Sequence, residues 1–353
     1  MRKLALMLVQ CLLLAGCAGL PRPREMGEMA LVRTVGVDGD GKSVTLTVST
    51  GQRAAGVEGE TVSALVLTGE GDSLSAAAHT LRGMGESHVF FGGTDHILVG
   101  AGTGEEDLRE LLSWLANDAE LSLGAGLWLL RESDARSALE DGGENGVEAR
   151  LSALVLDGKL GSAPRERTAG EVYIGLLERG CAYVPVLTAG EELTPAGYAI
   201  LKEYKVAAHL EGEAARGLEL LAERPLLEMI EVSLPDNPVT LRLTGAQVDC
   251  RPVFEGEKLV RVEIQCRVGV QPEQWERAMT AREREEAMAQ VRDLLEGRIA
   301  LALRELKAVR AECVGIASRV SMAAPWRWDG LEKNWQGQFA AADTPVEVTV
   351  SLG

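Results

Sequence analysis

Cys17 is the residue whose surroundings indicate the most definite chemistry in this sequence. It closes the run Leu14-Ala15-Gly16-Cys17, in which small residues lead directly into a cysteine near the N-terminus. This pattern is a lipobox: the thiol takes a diacylglycerol, and cleavage before the cysteine leaves a lipid-modified N-terminus. We therefore predict that Cys17 is a lipidation site. The alternative is an ordinary signal peptide in which a cysteine occurs by chance.

The residues before Cys17 have the composition of a secretory signal. Arg2 and Lys3 precede an apolar run from Leu4 to Leu14, which is shorter than the roughly twenty residues of a transmembrane helix. No later run is long and apolar enough to cross a bilayer. We predict a signal peptide over residues 1–16 and a lipidated tether over residues 17–28.

A serine in a second motif could act as a nucleophile. Gly71-Asp72-Ser73-Leu74 has the letters of the nucleophile block of a lipase-like esterase family. That chemistry needs a histidine, held by an aspartate, to deprotonate the serine, and such enzymes carry this pair near the C-terminus. Here the last histidine is His209. Asp72 and Ser73 are better interpreted as the N-cap of a helix, so no catalytic residue is predicted.

The remaining metal-ligating residue types do not form a recognisable site. The histidines His79, His88, His96 and His209 make no HExxH motif and no pair four residues apart, and we interpret them as polar surface or strand-end residues. No CxxC motif, phosphate-binding loop or dinucleotide-binding loop occurs. The sequence therefore predicts no metal, no cofactor and no enzymatic activity.

The later cysteines, Cys181, Cys250, Cys266 and Cys313, are interpreted as small hydrophobic residues. Cys250 and Cys266 flank a predicted turn at residues 255–257. A turn there places Cys250 opposite Arg261 or Val262 rather than Cys266, which disfavours a disulfide.

Composition limits the partners that the chain can bind through charge. The 353 residues carry a formal net charge of −17, with 46% hydrophobic and 25% charged residues. This is typical of a globular protein with two or three domains. A strongly acidic surface repels phosphate backbones and anionic lipids, so we predict no nucleic-acid partner.

Hydrophobic periodicity predicts alternating strands and helices. The predicted strands are 30–37, 44–48, 61–67, 96–100, 126–130, 183–187, 197–202, 205–210, 226–234, 239–249, 258–270 and 346–351. The predicted helices begin near Ser73, after a capping box formed by Thr103 and Glu106, near Asp134, and at residues 213 and 280. The last of these runs to about residue 311 with one continuous apolar stripe.

These elements predict a mixed α/β fold, α+β in part. We predict mixed sheets, together with a long C-terminal amphipathic helix that packs on a β-sheet. These elements form three domains. The predicted domains are an N-terminal α/β domain (29–165), a middle α/β domain (166–225) and a C-terminal β-rich domain (226–353) that contains the long helix.

Taken in order, several segments resemble one family, the Ger(x)C-type C-subunit lipoproteins of bacterial spore germinant receptors. The segments are Cys17 followed by Arg24-Glu25-Met26-Gly27-Glu28 and Val35-Gly36-Val37-Asp38; Phe90-Phe91-Gly92-Gly93-Thr94-Asp95-His96 with the strand and helix up to Leu121; and the long helix followed by Gly315, Pro325-Trp326-Arg327-Trp328, Trp335, Phe339 and Val346-Glu347-Val348-Thr349-Val350. The family usually has Trp-Asp after the lipidated cysteine, where this chain has Ala18-Gly19.

The resemblance implies a non-enzymatic subunit of a nutrient germinant receptor that is required for spore germination. Its implied partners are a permease-like A subunit and a second integral membrane B subunit. The lipid would hold the chain on the outer face of the spore inner membrane. The alternative is the solute-binding lipoprotein of a membrane transporter, which would need two similar α/β lobes around a cleft.

Three tryptophans near the C-terminus have two interpretations. Trp326, Trp328 and Trp335 either form an aromatic core that packs the last helix on its sheet, or expose a partner-binding surface.

Overall fold

The computed structural model of the chain describes residues 29–51, 53–55, 60–84, 87–224, 227–235 and 237–353. The predicted signal peptide, the tether and Cys17 lie outside these described residues. The structure therefore concerns the body that follows the tether.

In the described residues six strands precede the first α-helix, strands and helices are then mixed up to residue 221, and three strands precede the long helix. The strands are β1 (Met29–Leu31), β2 (Thr34–Gly39), β3 (Val44–Ser49), β4 (Arg53–Ala55), β5 (Glu60–Val62), β6 (Val66–Gly71), β7 (His88–Phe90), β8 (His96–Val99), β9 (Gly126–Leu130), β10 (Arg167–Thr168), β11 (Cys181–Thr188), β12 (Thr194–Lys202), β13 (Lys205–Leu210), β14 (Met229–Val232), β15 (Val239–Glu255), β16 (Lys258–Trp275) and β17 (Val346–Leu352). The α-helices are α1 (Leu74–Arg82), α2 (Glu105–Asn117), α3 (Ala135–Glu140), α4 (Glu148–Leu160), α5 (Ala169–Arg179), α6 (Gly212–Leu221), α7 (Ala281–Val309), α8 (Ile316–Ala323), α9 (Pro325–Glu332) and α10 (Trp335–Ala341).

A nine-stranded mixed sheet forms the larger part of the fold. Its order is β13-β12-β11-β9-β8-β2-β3-β6, with β10 paired to β9. Strands β2, β8, β9 and β11 are parallel, and the others join in antiparallel fashion. Separate cores cover the two faces: α1, α2 and α5 pack on one face, and α3 and α4 pack on the other. The central strands are mostly apolar because both of their faces are buried.

A second sheet, ordered β14-β15-β16-β17, supports the long helix α7. Strands β15 and β16 form an extended hairpin, and β17 joins β16 in parallel. The predicted stripe of α7 faces the core, where Val291, Leu295 and Ile299 have no exposed surface. Burying each such side chain stabilises the fold by roughly 1.5–3 kcal/mol. The structure confirms the predicted mixed fold and the long helix packed on a sheet.

The two sheets share a core that includes residues of more than one predicted domain. Strand β9 pairs with β11, so the large sheet runs without a break through the predicted boundary at residue 165. Side chains of β11 to β13 lie in the same apolar cluster as those of β15, β16 and α7. The division into three domains stays a prediction.

Helix α2 begins one residue later than the sequence predicts. The predicted capping box of Thr103 and Glu106 is wrong: the N-cap is Gly104, and the Asp107 carboxylate accepts the N–H of Gly104 at 3.4 Å. Thr103 instead donates its hydroxyl to the carbonyl of Val37 at 3.2 Å. The Thr103 hydroxyl therefore does not cap α2, because it is hydrogen-bonded to strand β2.

The hairpin register differs from the prediction for Cys250. A tight turn pairs Glu255 with Lys258, and an irregularity between Val253 and Phe254 shifts the register further. Cys250 therefore lies opposite Ile264, rather than Arg261 or Val262. The cysteines of the described residues are free and buried, and burial raises the pKa of the Cys250 and Cys266 thiols to about 12.

Five helices of the described residues, α4, α5, α8, α9 and α10, and one strand break were not predicted. Helix α4 buries Leu151 and Leu154 but exposes Leu156 and Leu160, so its sequence has no single apolar face. Helix α5 begins with a capping box in which Thr168 and Glu171 exchange hydrogen bonds with each other's backbone. The predicted strand 61–67 is divided between β5, which pairs with β4, and β6, which pairs with β3.

Candidate functional site

The segment after the long helix is organised around one buried carboxylate, that of Glu312. It accepts backbone N–H groups from Val314, Ile316 and Ala317, each at 2.9 Å. The indole Nε1 of Trp335 donates to the same carboxylate at 3.0 Å. Ile316 and Ala317 lie in the first turn of α8, and the helix dipole favours a negative charge at this N-terminus. Glu312 therefore fixes both α8 and α10 against the core.

The three tryptophans occupy three different environments. Trp335 is buried and contacts Trp328 and Phe339, with ring centroids 5.3 and 6.2 Å apart. Trp328 is half-buried. Trp326 is 78% exposed, and Met322 in the preceding helix is 74% exposed. Trp335 thus lies in the apolar cluster with Trp328 packed against it, and Trp326 is the most exposed of the three. Which of them contacts a partner stays a prediction.

A polar cleft of about 650 Å³ opens at the edge of the large sheet where β2 and β8 begin. Its lining includes Arg33, Asp95, His96 and Glu166. We call it the His96 cleft. Arg33 and Asp95 form an ion pair at its half-exposed rim. His96 lies deeper, and its Nδ1 is 3.9 Å from a carboxylate oxygen of Glu166.

Burial sets the protonation of the two inner groups. Loss of solvent lowers the pKa of His96 from 6.5 to about 4, so the imidazole is neutral near pH 7. Burial also raises the pKa of the Glu166 carboxyl, with Asp95 and Glu171 adding repulsion and Lys159 opposing the change. The sequence placed His96 at a strand end, which is confirmed, but nothing local indicated its burial or its proximity to Glu166.

A second buried carboxyl, Glu219 of α6, lies where α6 packs on β12. The hydroxyl of Tyr198 donates to it at 2.7 Å, and the backbone N–H of Arg165 donates to that hydroxyl at 2.6 Å. Arg216 contacts the other carboxylate oxygen at 3.3 Å. Burial raises the pKa of Glu219 from 4.5 to about 7, since the attraction of Arg216 and the Tyr198 hydrogen bond only partly compensate and Glu228 adds repulsion.

The described residues include no candidate metal site and no candidate membrane span. Those residues contain no group of three or more His, Cys, Asp or Glu side chains that could hold a metal ion. No helix in that part of the chain is long and apolar enough to cross a membrane. Ser73, the serine of the esterase-like motif, accepts the N–H of Ala76 at 3.2 Å as the N-cap of α1.

Comparisons with known proteins cover nearly the whole chain. A family model described as the spore germination protein N-terminal domain matches residues 22–189. A second, described as spore germination B3/GerAC like, C-terminal, matches residues 196–353. The crystal structure of the GerBC protein has the same fold, with a TM-score of 0.59 and 13% identity over 90% of this chain and 96% of that chain. A comparison with curated protein sequences found no match.

The fold and the matched segments define a protein of spore germination. The chain belongs to the GerAC-like family, the C subunits of spore germinant receptors. This confirms the predicted family and the predicted role in germination. Membership implies a complex with other receptor subunits, association with the spore inner membrane and a generally non-catalytic role. The comparisons give no support to the transporter alternative.

Proposed function

We propose that this chain is a non-catalytic, lipid-anchored C subunit held on the outer face of the spore inner membrane. There it joins the integral membrane A and B subunits of a nutrient germinant receptor. The observation that carries the proposal is the pair of family matches, which together span residues 22–189 and 196–353. The serine of the esterase-like motif caps a helix, which supports a non-catalytic role.

The proposed anchor is the lipid on Cys17. The rest of the chain is strongly acidic, so charge would not hold it on an anionic membrane, whereas two or more acyl chains bind stably. Replacement C17A should move the protein from spore membranes to the soluble fraction and prevent nutrient-triggered germination. The matched control is C11A, which removes a cysteine from the same signal region without touching the lipobox. Normal germination of the C17A spores would show that the anchor has no part in the function.

The proposed partner surface is the exposed apolar pair Trp326 and Met322. Exposed tryptophans are enriched among residues that dominate binding energy, and replacing one at an interface typically costs about 2 kcal/mol or more. Replacement W326S should reduce co-purification of the A and B subunits from spore membranes by about thirtyfold. The control is W275S, at a 49% exposed tryptophan on β16. Equal recovery of the partners with both variants would exclude Trp326 from the interface.

A further inference from the structure

The His96 cleft has an inner wall built from adjacent strands. Thr34 of β2 is the register partner of His96 in β8, and His96 is the register partner of Gly126 in β9. Register partners of parallel strands project to the same face of a sheet. The cleft lies where these strands begin: Arg33 precedes β2, His96 begins β8 and Ala125 precedes β9 in its lining, and a cleft of about 650 Å³ falls within the usual size of small-molecule sites.

One buried polar atom of the lining, Nδ1 of His96, lacks a partner among the described residues. His96 is 95% buried, with 5% of its surface exposed, and its Nδ1 has no hydrogen-bond partner among the residues that the structure describes. Native proteins rarely leave such atoms unsatisfied, because each was hydrogen-bonded to water in the unfolded chain. His96 therefore brings to the cleft lining a hydrogen-bonding atom that the described residues do not use.

Gly126 allows the Glu166 carboxyl to reach the wall. A Cβ atom at Gly126 would lie 2.0 Å from an oxygen of that carboxyl, closer than any real contact. The glycine thus leaves room for Glu166 to stand over the sheet beside His96. In this arrangement an oxygen of the Glu166 carboxyl lies 3.9 Å from Nδ1 of the buried imidazole.

The charges of the cleft select the ligand. Its lining has two carboxyl groups, Asp95 and Glu166, and one guanidinium, Arg33, which is already paired with Asp95. Glu166 is thus the group without a cationic partner in the lining, and neutral His96 adds an acceptor nitrogen in the tautomer protonated on Nε2. We propose that the His96 cleft binds a small primary ammonium compound, whose N–H groups donate to His96 Nδ1 and to the Glu166 carboxylate.

The test uses two cations that differ in their N–H groups. Ethanolamine is titrated into the purified protein near neutral pH, and choline, its trimethylated analogue, serves as the matched probe. The chain has four histidines, so the imidazole signals can be resolved by NMR, with His79 and His209 as internal references. Ethanolamine should shift the His96 signal saturably and leave the references unchanged. Choline carries the same charge but donates no N–H, so it should have no such effect.

Two variants separate the site from its surroundings. E166Q should raise the Kd for ethanolamine at least about tenfold, since it removes a charge-assisted hydrogen bond. G126A should also weaken binding, because its Cβ displaces the Glu166 carboxyl while every charge of the cleft remains. The control is E178Q, at an exposed carboxylate of α5.

Three results would overturn the inference. These are no saturable shift of His96 with ethanolamine, equal binding of choline, and a His96 shift produced by inorganic phosphate in place of the cation. Each concerns the His96 cleft alone, so failure here is distinguishable from failure of the proposed anchor or partner surface.

Discussion

Replacement of Glu219 by Gln should change how the stability of this protein depends on pH. Gln keeps the shape and still accepts the hydroxyl of Tyr198, which lies 2.7 Å from Glu219 in the wild-type protein. It cannot titrate. Because burial raises the pKa of Glu219 to about 7, the native state binds more protons than the unfolded state between the two pKa values, 4.5 and about 7. The wild-type protein must therefore lose stability, relative to the variant, as pH rises through this window.

The size of the effect follows from the two pKa values. A full titration across the window from 4.5 to about 7 corresponds to about 3.4 kcal/mol at roughly 1.4 kcal/mol per pH unit. Integration between about pH 5 and about pH 8 gives about 2.5 kcal/mol, since part of the change occurs below pH 5. The side chain is 4% exposed, so solvent screening reduces this value little. His96, whose pKa is lowered to about 4, contributes in the opposite direction over a similar range. The free energy of unfolding of the wild-type protein therefore changes less with pH than it would if only Glu219 or only His96 titrated.

The comparison of the two proteins isolates Glu219, because His96 and every other group are the same in both. Urea unfolding near pH 5, 6, 7 and 8 should show the wild-type free energy of unfolding falling by about 2.5 kcal/mol relative to E219Q. Infrared difference spectra of the two proteins should contain a protonated carboxyl band that disappears with a midpoint near pH 7. A stability difference that is constant with pH, or that grows as pH rises, would refute the reasoning, as would the absence of that band at pH 5.

Two further predictions concern packing and a buried charge. G217A should destabilise the protein by about 1–3 kcal/mol in urea unfolding, because its Cβ would lie 2.0 Å from the carbonyl oxygen of Arg298 and force α6 away from α7. The matched change G297A, with no atom within 4 Å of its Cβ, should stabilise by about 0.5–1 kcal/mol, and the reverse order would contradict the described contact. E312Q should cost about 2–4 kcal/mol, since an amide cannot accept all four N–H donors, whereas E332Q at an exposed site should be neutral within about 0.5 kcal/mol.

Local sequence patterns predicted the helices and strands in which buried residues recur with a regular helical or strand period. The apolar stripe of α7 and the alternation in β3 each place their residues on a face that one neighbouring layer covers. Helix α4 escaped prediction because Leu156 and Leu160 on its outer side are also apolar, which hides its period. The cap of α2 was misassigned because Thr103 forms a hydrogen bond with a residue distant in sequence. A signal for α5 was available in the capping residues Thr168 and Glu171.

The sequence also indicated some features of the candidate sites and not others. The aromatic residues after α7 were visible in the sequence, but their exposure depends on how α8 to α10 fold over Glu312. The His96 cleft depends on the register of three strands and on a glycine that admits Glu166. Such proximity arises between residues far apart in sequence, so no periodicity or motif could show it. Cys17 remains a prediction, because it lies outside the described residues.

The long helix α7 has a mechanical consequence. Its 29 residues form a rod of about 43 Å that packs on α6, touches β13 of the large sheet, and lies against β14 and β17 of the small one. The carbonyl of Arg298 sits so close to Gly217 that the two helices cannot slide past each other without a clash. The two sheets are thus braced by a common strut. Relative motion of the two sheets would therefore have to break the packing of α7 on β13, β14 or β17.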